Sequence, residues 1–188
     1  MPNFILPICA WSGERFFVFA RLIRSNLEQS REQLVSVSDE VQMLKSYLHL
    51  LQLRFENKFN YTVTADESMD SAIGLPPMFI QPFVENAILH GVLPKETQGN
   101  ISVQFYLKGA KELVCEVEDD GIGKSESLKR KTAFDEHKSL AMTITEERME
   151  IINSLNKEKI HLFMDDKRNE NKNAAGTKVK ISFPLQYV

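Results

Sequence analysis

Residues 81–91 read Gln81-Pro82-Phe83-Val84-Glu85-Asn86-Ala87-Ile88-Leu89-His90-Gly91 and form the most informative segment of the sequence. It ends a predicted helix over residues 78–91, and Pro82 lies near the first turn, where a missing N–H costs least. Asn86 and His90 are four residues apart and share one face, with Glu85 beside it. A carboxamide oxygen suits Mg²⁺, which takes few protein oxygens and completes its shell with phosphates and water. An equally good interpretation makes Asn86 a partner of a neighbouring loop and His90 a partner of the helix dipole.

Two alternating segments follow this helix, over residues 101–107 and 112–118, and the four residues between them include Gly109. Alternation of apolar and polar residues with a short glycine-bearing connection is typical of a β-hairpin. The second strand ends in Asp119-Asp120-Gly121-Ile122-Gly123, an Asp-x-Gly-x-Gly motif.

Asp119 has the parity of the buried residues of its strand, Leu113, Cys115 and Val117. A carboxylate that points inward needs a partner, because an unpaired buried charge is expensive. The exocyclic amine of adenine is a suitable donor, and Gly121 and Gly123 would let the backbone approach a flat base. On motif frequency alone, an ordinary Asp-Gly turn after a strand is the favoured interpretation.

The chain beyond this motif is predicted to hold a long charged loop over residues 121–138 and a helix over residues 139–156. A loop of that length is unusual in a compact domain and indicates function. A strand over residues 160–164, a polar loop over 165–175 and a last strand over 177–183 complete the pattern. The last strand opens with Gly176-Thr177, which has little specificity by itself.

Two amphipathic helices precede the main domain. The first, over residues 16–30, has the stripe Phe16, Phe19, Leu22, Ile23 and Leu27. The second is predicted to begin with Ser38 as its N-cap and to have Asp39 and Glu40 at the positive end of its dipole. Its apolar face is Val41, Leu44, Leu48, Leu51 and Phe55. A helical hairpin is therefore expected before the strand at Phe59, Tyr61 and Val63.

Composition narrows the class of protein. The chain has 188 residues, 43% hydrophobic and 26% charged, with 23 Lys and Arg against 26 Asp and Glu. These values exclude collagen, a coiled-coil rod and wholesale disorder, and the acidic balance argues against a nucleic-acid partner. Cys9 and Cys115 match no metal or redox spacing, and no apolar run reaches the length of a membrane helix. Residues 1–15 are interpreted as a ragged N-terminal segment, 16–57 as dimerisation and linker helices, and 58–188 as the main domain.

The order and spacing of the three motifs resemble the Bergerat ATP-binding fold of the gyrase, heat-shock chaperone, histidine kinase and MutL superfamily. Within it the chain is most similar to the LytS-type sensor histidine kinases. The shared motifs are Tyr47-Leu48-x₄-Leu53-Arg54-Phe55 with Lys58, Pro76-Pro77-Met78, and the stretch from Gln81 to Gly91. The resemblance covers about residues 19–188. It implies an α+β fold, a two-layer α/β sandwich with a mixed sheet, preceded by the helical hairpin.

The resemblance also implies roles for individual residues. Asn86 would coordinate Mg²⁺, Asp119 would hold the adenine amine of ATP, and residues 121–138 would be a lid over the phosphates. Glu85 is the candidate to polarise an incoming imidazole. The remaining residues expected to bind the nucleotide are His90, Gly121, Gly123, Ser139, Arg148, Gly176 and Thr177.

Three departures from the family pattern bear on function. The usual Gly-x-Gly-Leu before the post-lid helix is replaced by Ser139-Leu140-Ala141-Met142. The phosphoacceptor histidine of an Asn-Pro-His-Phe run is absent, since the histidines are His49, His90, His137 and His161. Hydrolytic members of the superfamily have a general-base Glu four residues before the metal-binding Asn, and this chain has Pro82 there. The last departure favours phosphotransfer over ATP hydrolysis.

The function expected from the resemblance is the catalytic part of a two-component sensor histidine kinase that transfers the γ-phosphoryl group of ATP to a histidine outside this chain. The expected partners are a response regulator receiver domain and the histidine-bearing dimerisation helix of the parent kinase, a homodimer. The expected location is the cytoplasmic part of a membrane-bound parent. The alternatives are a nucleotide-binding regulatory module without transferase activity, and a serine kinase of an anti-sigma partner, which would lack the helical pair.

Overall fold

The computed structural model describes residues 31–123, 135–168 and 174–188, preceded by three helical positions, Ala20, Arg24 and Leu27. The side chains of residues 135–141, 168 and 174 are outside this description. The predicted helix over residues 16–30 therefore lies outside the described residues except at those three positions. Most of the predicted lid over residues 121–138 also lies outside them.

The described strands form two sheets. They are β1 Val35–Ser36, β2 Phe59–Ala65, β3 Ile73–Leu75, β4 Gly99–Lys108, β5 Glu112–Asp119, β6 His161–Arg168, β7 Ala174–Pro184 and β8 Gln186–Tyr187. The larger sheet has the order β2-β4-β5-β7-β6, and β1, β3 and β8 form a small antiparallel sheet. In the larger sheet β2 pairs with β4 in parallel and the other pairs are antiparallel, so the sheet is mixed.

The described helices are α1 Val37–Arg54, α2 Gln81–Asn86 and α3 Asp135–Leu155, and a π-helix over Ala87–Val92 continues α2 directly. The helix α1 packs against β2, the π-helix against β4, β5 and β7, and α3 against α2. The core between helices and sheet is apolar and includes the buried rings of Phe59, Phe79, Phe83, Phe105 and Phe183. One layer of helices on a mixed sheet is an α+β architecture, which confirms the predicted class.

The start of α1 differs from the prediction. The N-cap is Ser36 and not Ser38: its backbone is extended and its Oγ accepts a hydrogen bond from the N–H of Asp39 at 3.0 Å. Both serines have the side chain that a cap requires. The choice depends on Val35 and Ser36 pairing with β3, which holds the residue before the helix in an extended conformation.

Glu40, expected at the positive end of the dipole of α1, is buried. It has no exposed surface, and neither carboxylate oxygen has a hydrogen-bond partner in the described structure. Burial raises the pKa of Glu40 to about 8. An acid in such a site is held in its neutral form because a charge without a partner is expensive in an apolar interior.

The helix predicted over residues 78–91 begins three residues later, at Gln81, and consists of α2 and the π-helix, which ends at Val92, with Pro82 in the first turn of α2. The wider turn is recorded by the hydrogen bond from the N–H of Leu93 to the carbonyl of Ile88, five residues earlier, at 2.9 Å. A π-helix within a helical segment is uncommon and frequently marks a functional site.

The β-hairpin over residues 101–118 is confirmed, since β4 and β5 pair antiparallel from Ile101 opposite Asp119 to Lys108 opposite Glu112. The predicted polar loop over residues 165–175 is wrong in part. Asp165 pairs with Lys178 and Asp166 with Thr177, so β6 and β7 continue beyond their apolar segments, with an irregularity before Arg168. The helix α3 begins at Asp135, four residues before its predicted start at Ser139.

Among the described residues, no helix combines the length and the hydropathy needed to cross a membrane.

Candidate functional site

A solvent-open cavity, with about 380 Å³ of free space including solvent, lies between the α2–π-helix segment and the strands β5, β6 and β7. Its lining combines an apolar floor with a few polar groups, as small-molecule sites usually do. The lining residues are Phe83, Asn86, Ala87, His90, Gly91, Val117, Asp119, Gly123, Met164, Thr177 and Val179.

Asp119 is the acidic group of this cavity, and its side chain is only 3% exposed. The inward direction predicted from strand parity is therefore confirmed. Its Oδ1 accepts a hydrogen bond from the N–H of Gly121 at 2.7 Å, and the carboxylate also accepts the backbone N–H of Thr177. Burial outweighs these two bonds and raises the pKa of Asp119 to about 6. The carboxylate is therefore mostly ionised above pH 7 and takes up a proton as the pH falls through about 6.

Gly91 makes room for that carboxylate. A Cβ atom at residue 91 would lie 2.6 Å from Oδ1 of Asp119, and one at residue 121 would lie 2.2 Å from the carbonyl carbon of Gly91. The N–H of Ile122 also donates to the carbonyl of Gly91 at 3.0 Å. The Asp-x-Gly-x-Gly turn is thus seated directly on the π-helix, where a side chain at residue 91 or 121 would separate them.

Thr177 lines the cavity, and Gly176 packs against the backbone of Asp119. Gly176 has a φ of +115°, and a Cβ atom there would lie 2.0 Å from the carbonyl oxygen of Asp119. Only glycine adopts this backbone at such a close approach. Thr177 is buried and lines the cavity. The Gly-Thr opening of the last strand therefore lies against Asp119.

Asn86 and His90 both line the cavity, as their shared helix face predicts. The Oδ1 of Asn86 is buried and has no hydrogen-bond partner in the described part of the chain. A buried amide oxygen without a donor is costly unless a ligand satisfies it. It fits Mg²⁺ as a hard oxygen ligand. Within the described residues no group of three His, Cys, Asp or Glu side chains could hold a metal ion, so the rest of such a coordination shell would come from phosphates and water.

Two predicted site residues with described side chains, Glu85 and Arg148, do not line the cavity. Glu85 points away from the cavity and its Oε1 accepts hydrogen bonds from Tyr47 and Gln81. Arg148 donates from Nη2 to the carbonyl of Pro77 at 3.1 Å and lies 5.7 Å from the ring centroid of Phe79. The side chain of Ser139 lies outside the described residues. Of the two lining glycines that were expected, Gly123 lines the cavity, whereas Gly121 packs against Gly91.

Sequence reasoning missed several residues of the cavity. Gly91 was part of the quoted helix motif, but its contact with Asp119 joins two motifs that are far apart in the chain. Met164 lines the cavity from β6, and the alternation of Leu162 and Met164 could have indicated an inward direction. The role of Tyr47 as a partner of Glu85 has no signal in either motif alone.

Comparison with known proteins relates the chain to histidine kinases. A family model described as "Histidine kinase" matches residues 15–59, the segment that contains the Tyr47 to Lys58 motif. The Sensor protein LytS of Staphylococcus saprophyticus is 34% identical over 110 residues. The chain is a relative of the LytS-type sensor histidine kinases. The predicted resemblance is confirmed, and the predicted enzyme class agrees with the name of this relative.

The LytS-like relatives are longer than this chain. The matched region is 58% of this chain but 18% of the LytS protein. A putative uncharacterised protein of Bacillus subtilis, YwpD, is 35% identical over 106 residues, which are 56% of this chain and 37% of YwpD. The chain thus spans well under half the length of these curated relatives.

Solved structures of histidine kinases share the fold. The histidine kinase domain of the Erythrobacter litoralis EL346 blue-light activated kinase has a TM-score of 0.56 at 13% identity, covering 93% of this chain and 76% of that one. Full-length ShkA, solved in complex with AMPPNP, has a TM-score of 0.54 at 11% identity, covering 93% of this chain and 37% of that one. At these identities the likeness is one of fold.

Proposed function

We propose that this chain is the ATP-binding catalytic part of a LytS-type sensor histidine kinase. It binds Mg-ATP in the cavity lined by Asp119 and Asn86 and transfers the γ-phosphoryl group to a histidine that is not among those of this chain. The phosphohistidine then passes the group to the receiver domain of a response regulator.

The observation that carries the proposal is the state of Asp119. Its carboxylate is buried, anchored by the N–H groups of Gly121 and Thr177, and directed at the solvent-open cavity. Two backbone N–H groups orient the carboxylate. They do not fully offset the cost of burying its negative charge, so its pKa is raised. An adenine amine in the cavity would donate the missing hydrogen bond and exclude the remaining water.

Asn86 supports a nucleotide with a bound cation. Its Oδ1, which has no hydrogen-bond partner in the described structure, lines the same cavity as Asp119. Asp119 at the end of β5 can therefore hold the base while Asn86 on α2 contacts the metal ion at the phosphate end. Mg²⁺ at this position would neutralise charge on the phosphates. The AMPPNP complex of ShkA is consistent with an ATP analogue as the ligand of this fold.

Transfer in this site would depend on positioning and electrostatics. One imidazole nitrogen of the acceptor forms the bond to the γ-phosphorus while the bond to the β,γ-bridging oxygen breaks and ADP leaves with that electron pair. The proton on the other imidazole nitrogen passes to solvent, because Glu85, the carboxylate expected to accept it, does not line the cavity. Pro82, four residues before Asn86, has no group that could activate water instead.

The described histidines of this chain are poorly placed to accept the γ-phosphoryl group. His49 and His161 are exposed on α1 and β6, at positions that do not line the cavity, and His90 is part of the cavity lining itself. The side chain of His137 lies outside the described residues. We place the acceptor on a separate dimerisation helix of a homodimeric parent, and the match of residues 15–59 to the family model described as "Histidine kinase" supports this. The relatives are named as sensors, and we place this part on the cytoplasmic side of a membrane-bound parent.

The test is incubation of the chain with ATP labelled at the γ-phosphate. The chain alone should remain unlabelled, and a fragment with an Asn-Pro-His-Phe acceptor helix should gain an acid-labile, base-stable label when added. Label of this type on the chain alone would contradict the assignment of the acceptor. No label on a folded, dimeric acceptor would contradict transfer.

A second function is nucleotide binding without transfer, as a regulatory module. The observation in its favour is Arg148, which is engaged with Pro77 and Phe79 and not with the cavity where phosphates would lie. ATP binding without labelling of the acceptor would favour this alternative.

A further inference from the structure

Asp120, the second residue of the Asp-x-Gly-x-Gly motif, is bonded to the start of β4 outside the cavity. Its Oδ1 accepts the backbone N–H of Asn100 at 2.8 Å, and its Oδ2 accepts a hydrogen bond from Nδ2 of Asn100 at 2.7 Å. The backbone N–H of Asp120 donates in turn to the carbonyl of Asn100 at 3.1 Å. Asp120 itself does not line the cavity.

Lys95 joins Asp120 to the segment that follows the π-helix. Its Nζ donates to the carbonyl oxygen of Asp120 at 2.9 Å and lies 3.0 Å from Oδ1. Its own N–H bonds to the carbonyl of Val92, the last residue of the π-helix, at 3.0 Å. Partial burial disfavours the charge of Asp120, but the hydrogen bonds from Asn100 and Lys95 lower its pKa, so the carboxylate stays ionised. We call these contacts of Asp120 with Asn100 and Lys95 the Asp120 clamp.

The Asp120 clamp acts on the peptide unit that orients Asp119. The carbonyl oxygen that accepts from Lys95 belongs to the same peptide unit as the N–H of Gly121. That N–H donates to Oδ1 of Asp119 at 2.7 Å. Because a peptide unit is planar, a hydrogen bond that holds its carbonyl oxygen also fixes the direction of its N–H. The contacts of Asp120 therefore help to set the direction of the buried Asp119 carboxylate.

We propose that the Asp120 clamp positions the carboxylate of Asp119 for the exocyclic amine of adenine and so sets the preference of the site for a base with that amine. This inference rests on the proposed function. A hydrogen bond weakens steeply when its partners are misaligned, so the contribution of Asp119 depends on its direction. Neither Asn100 nor Lys95 lines the cavity, so both are positioning residues that act through Asp119.

The experiment compares the affinities of the full 188-residue chain for ATP and for purine riboside triphosphate, an analogue that lacks the exocyclic amine. Calorimetric titration in magnesium is carried out at pH 8, where Asp119 and Asp120 are both ionised. Wild type should bind ATP at least about tenfold more tightly than the analogue, as expected for a hydrogen bond to a charged group.

Variants of Asp120 test the hydrogen bonds of the clamp. Asp120→Ala removes the acceptor oxygens of the side chain and should lower the preference for ATP to about threefold or less. Asp120→Asn keeps one oxygen for the N–H of Asn100, and the amide of Asn100 can turn its own oxygen toward the new Nδ2. This conservative variant should keep the preference within about twofold of the wild-type value.

Lys95→Met tests the contact with the peptide unit. Methionine keeps a long apolar side chain but has no donor for the carbonyl oxygen of Asp120. The variant should also lower the preference for ATP, and it serves if Asp120→Ala folds poorly.

Glu112→Ala is the matched control. Glu112 lies at the opposite end of the β4–β5 hairpin, where its Oε2 is 3.7 Å from Nζ of Lys108. The substitution removes a salt-bridged carboxylate from the same hairpin without touching the base-binding turn. Both affinities should stay at their wild-type values.

The ratio of the two affinities separates positioning from a structural role. A general loss of structure weakens ATP and the analogue by the same factor, so an unchanged ratio in Asp120→Ala or Lys95→Met contradicts the positioning role alone. A ratio that falls as far in Asp120→Asn as in Asp120→Ala also contradicts it, because the hydrogen bonds are then not the cause. Equal affinities of the wild type for the two nucleotides, or no binding of ATP, contradict the proposed function and the positioning role with it.

Discussion

Gly91 and Asp119 are in contact at a point where no side chain larger than hydrogen fits: a Cβ atom at residue 91 would lie 2.6 Å from Oδ1 of Asp119. This contact joins the end of the asparagine-bearing helix to the end of β5. It places the orphaned amide oxygen of Asn86 and the buried carboxylate of Asp119 on one cavity. The two motifs that separately had ordinary interpretations form one site because of this contact.

Gly91→Ala adds only a methyl group, but it should lower both the stability of the chain and its affinity for ATP. The added methyl group must displace the Asp119 carboxylate or the turn at Gly121, and overpacking of this kind costs about 1–3 kcal/mol. Urea unfolding should show that loss of stability, and calorimetric titration should show weakened ATP binding.

Gly109→Ala is the control for that substitution. Gly109 has a φ of +67° but no atom within 4 Å of its added Cβ, so it should lose about 1 kcal/mol through backbone strain and bind ATP normally. Normal ATP affinity in Gly91→Ala would contradict the importance of the contact.

ATP affinity should depend on pH through Asp119. Its pKa in the free chain is raised to about 6 by burial, and donation from the adenine amine favours the ionised form. Affinity should therefore be full above pH 7 and fall as pH drops through 6, to about tenfold weaker near pH 5. Calorimetric titration with ATP across this pH range measures the effect. Asp119→Asn, measured in parallel, shows the part of the pH dependence that comes from the ATP phosphates. Equal pH dependence in the two chains would exclude Asp119 as the titrating group.

Glu40→Gln should stabilise the chain at alkaline pH. The pKa of Glu40 is raised from an ordinary 4.5 to about 8, so its contribution is fully present below pH 4.5 and is lost as pH rises toward 8. Ionisation in the unfolded chain then favours unfolding by about 4 kcal/mol at pH 8. In urea unfolding, Glu40→Gln should raise the free energy of unfolding by most of this amount at pH 8 and by little at pH 5.

The Glu40→Gln measurement needs a second titrating group to be excluded and a control for the lost charge. The buried thiol of Cys115 faces Glu40 and has its own pKa raised well above its usual range, by burial first and then by Glu40, so it stays neutral over the same interval. Glu146→Gln, an exposed substitution on α3, controls for the loss of a charge. A gain in Glu40→Gln that is equal at pH 5 and pH 8 would contradict the neutral buried acid.

Arg148→Ala distinguishes two roles of one side chain. The resemblance to the kinases predicts a phosphate contact, whereas the structure shows a hydrogen bond to Pro77 and a position over the ring of Phe79. If the observed contacts are its function, the variant should lose about 1–2 kcal/mol of stability and change ATP affinity by less than twofold. Glu147→Ala, on the same helix and exposed, controls for helix propensity. A large loss of ATP affinity with unchanged stability would restore the phosphate role.

The sequence predicted the features that depend only on the geometry of one helix, strand or hairpin. The period-two alternation of β5 predicted the inward direction of Asp119, since parity along a strand is geometric. The same reasoning predicted the β4–β5 hairpin, and the spacing of Asn86 and His90 predicted their common face. These expectations need only the residues of one element.

The remaining differences arise from contacts between distant parts of the chain. Ser36 is the N-cap because β1 pairs with β3, and two-residue strands have no alternation to detect. Glu40 lies against the core although its first-turn position suits a solvent-exposed acid. Residues 165–166 extend β6 because β7 pairs with them, although their composition is typical of a loop. In each case tertiary contact overrides local preference.

The most direct test of the account is calorimetric titration of the chain with ATP in magnesium and in EDTA. Wild type should bind in magnesium and more weakly in EDTA. Asp119→Asn should lose affinity in both, because the adenine amine then faces a second donor, whereas Asn86→Ala should lose chiefly the magnesium-dependent part. Asn60→Ala, at an exposed position on β2, is the control. ATP affinity in Asp119→Asn equal to that of wild type would contradict the central claim that this carboxylate holds the base.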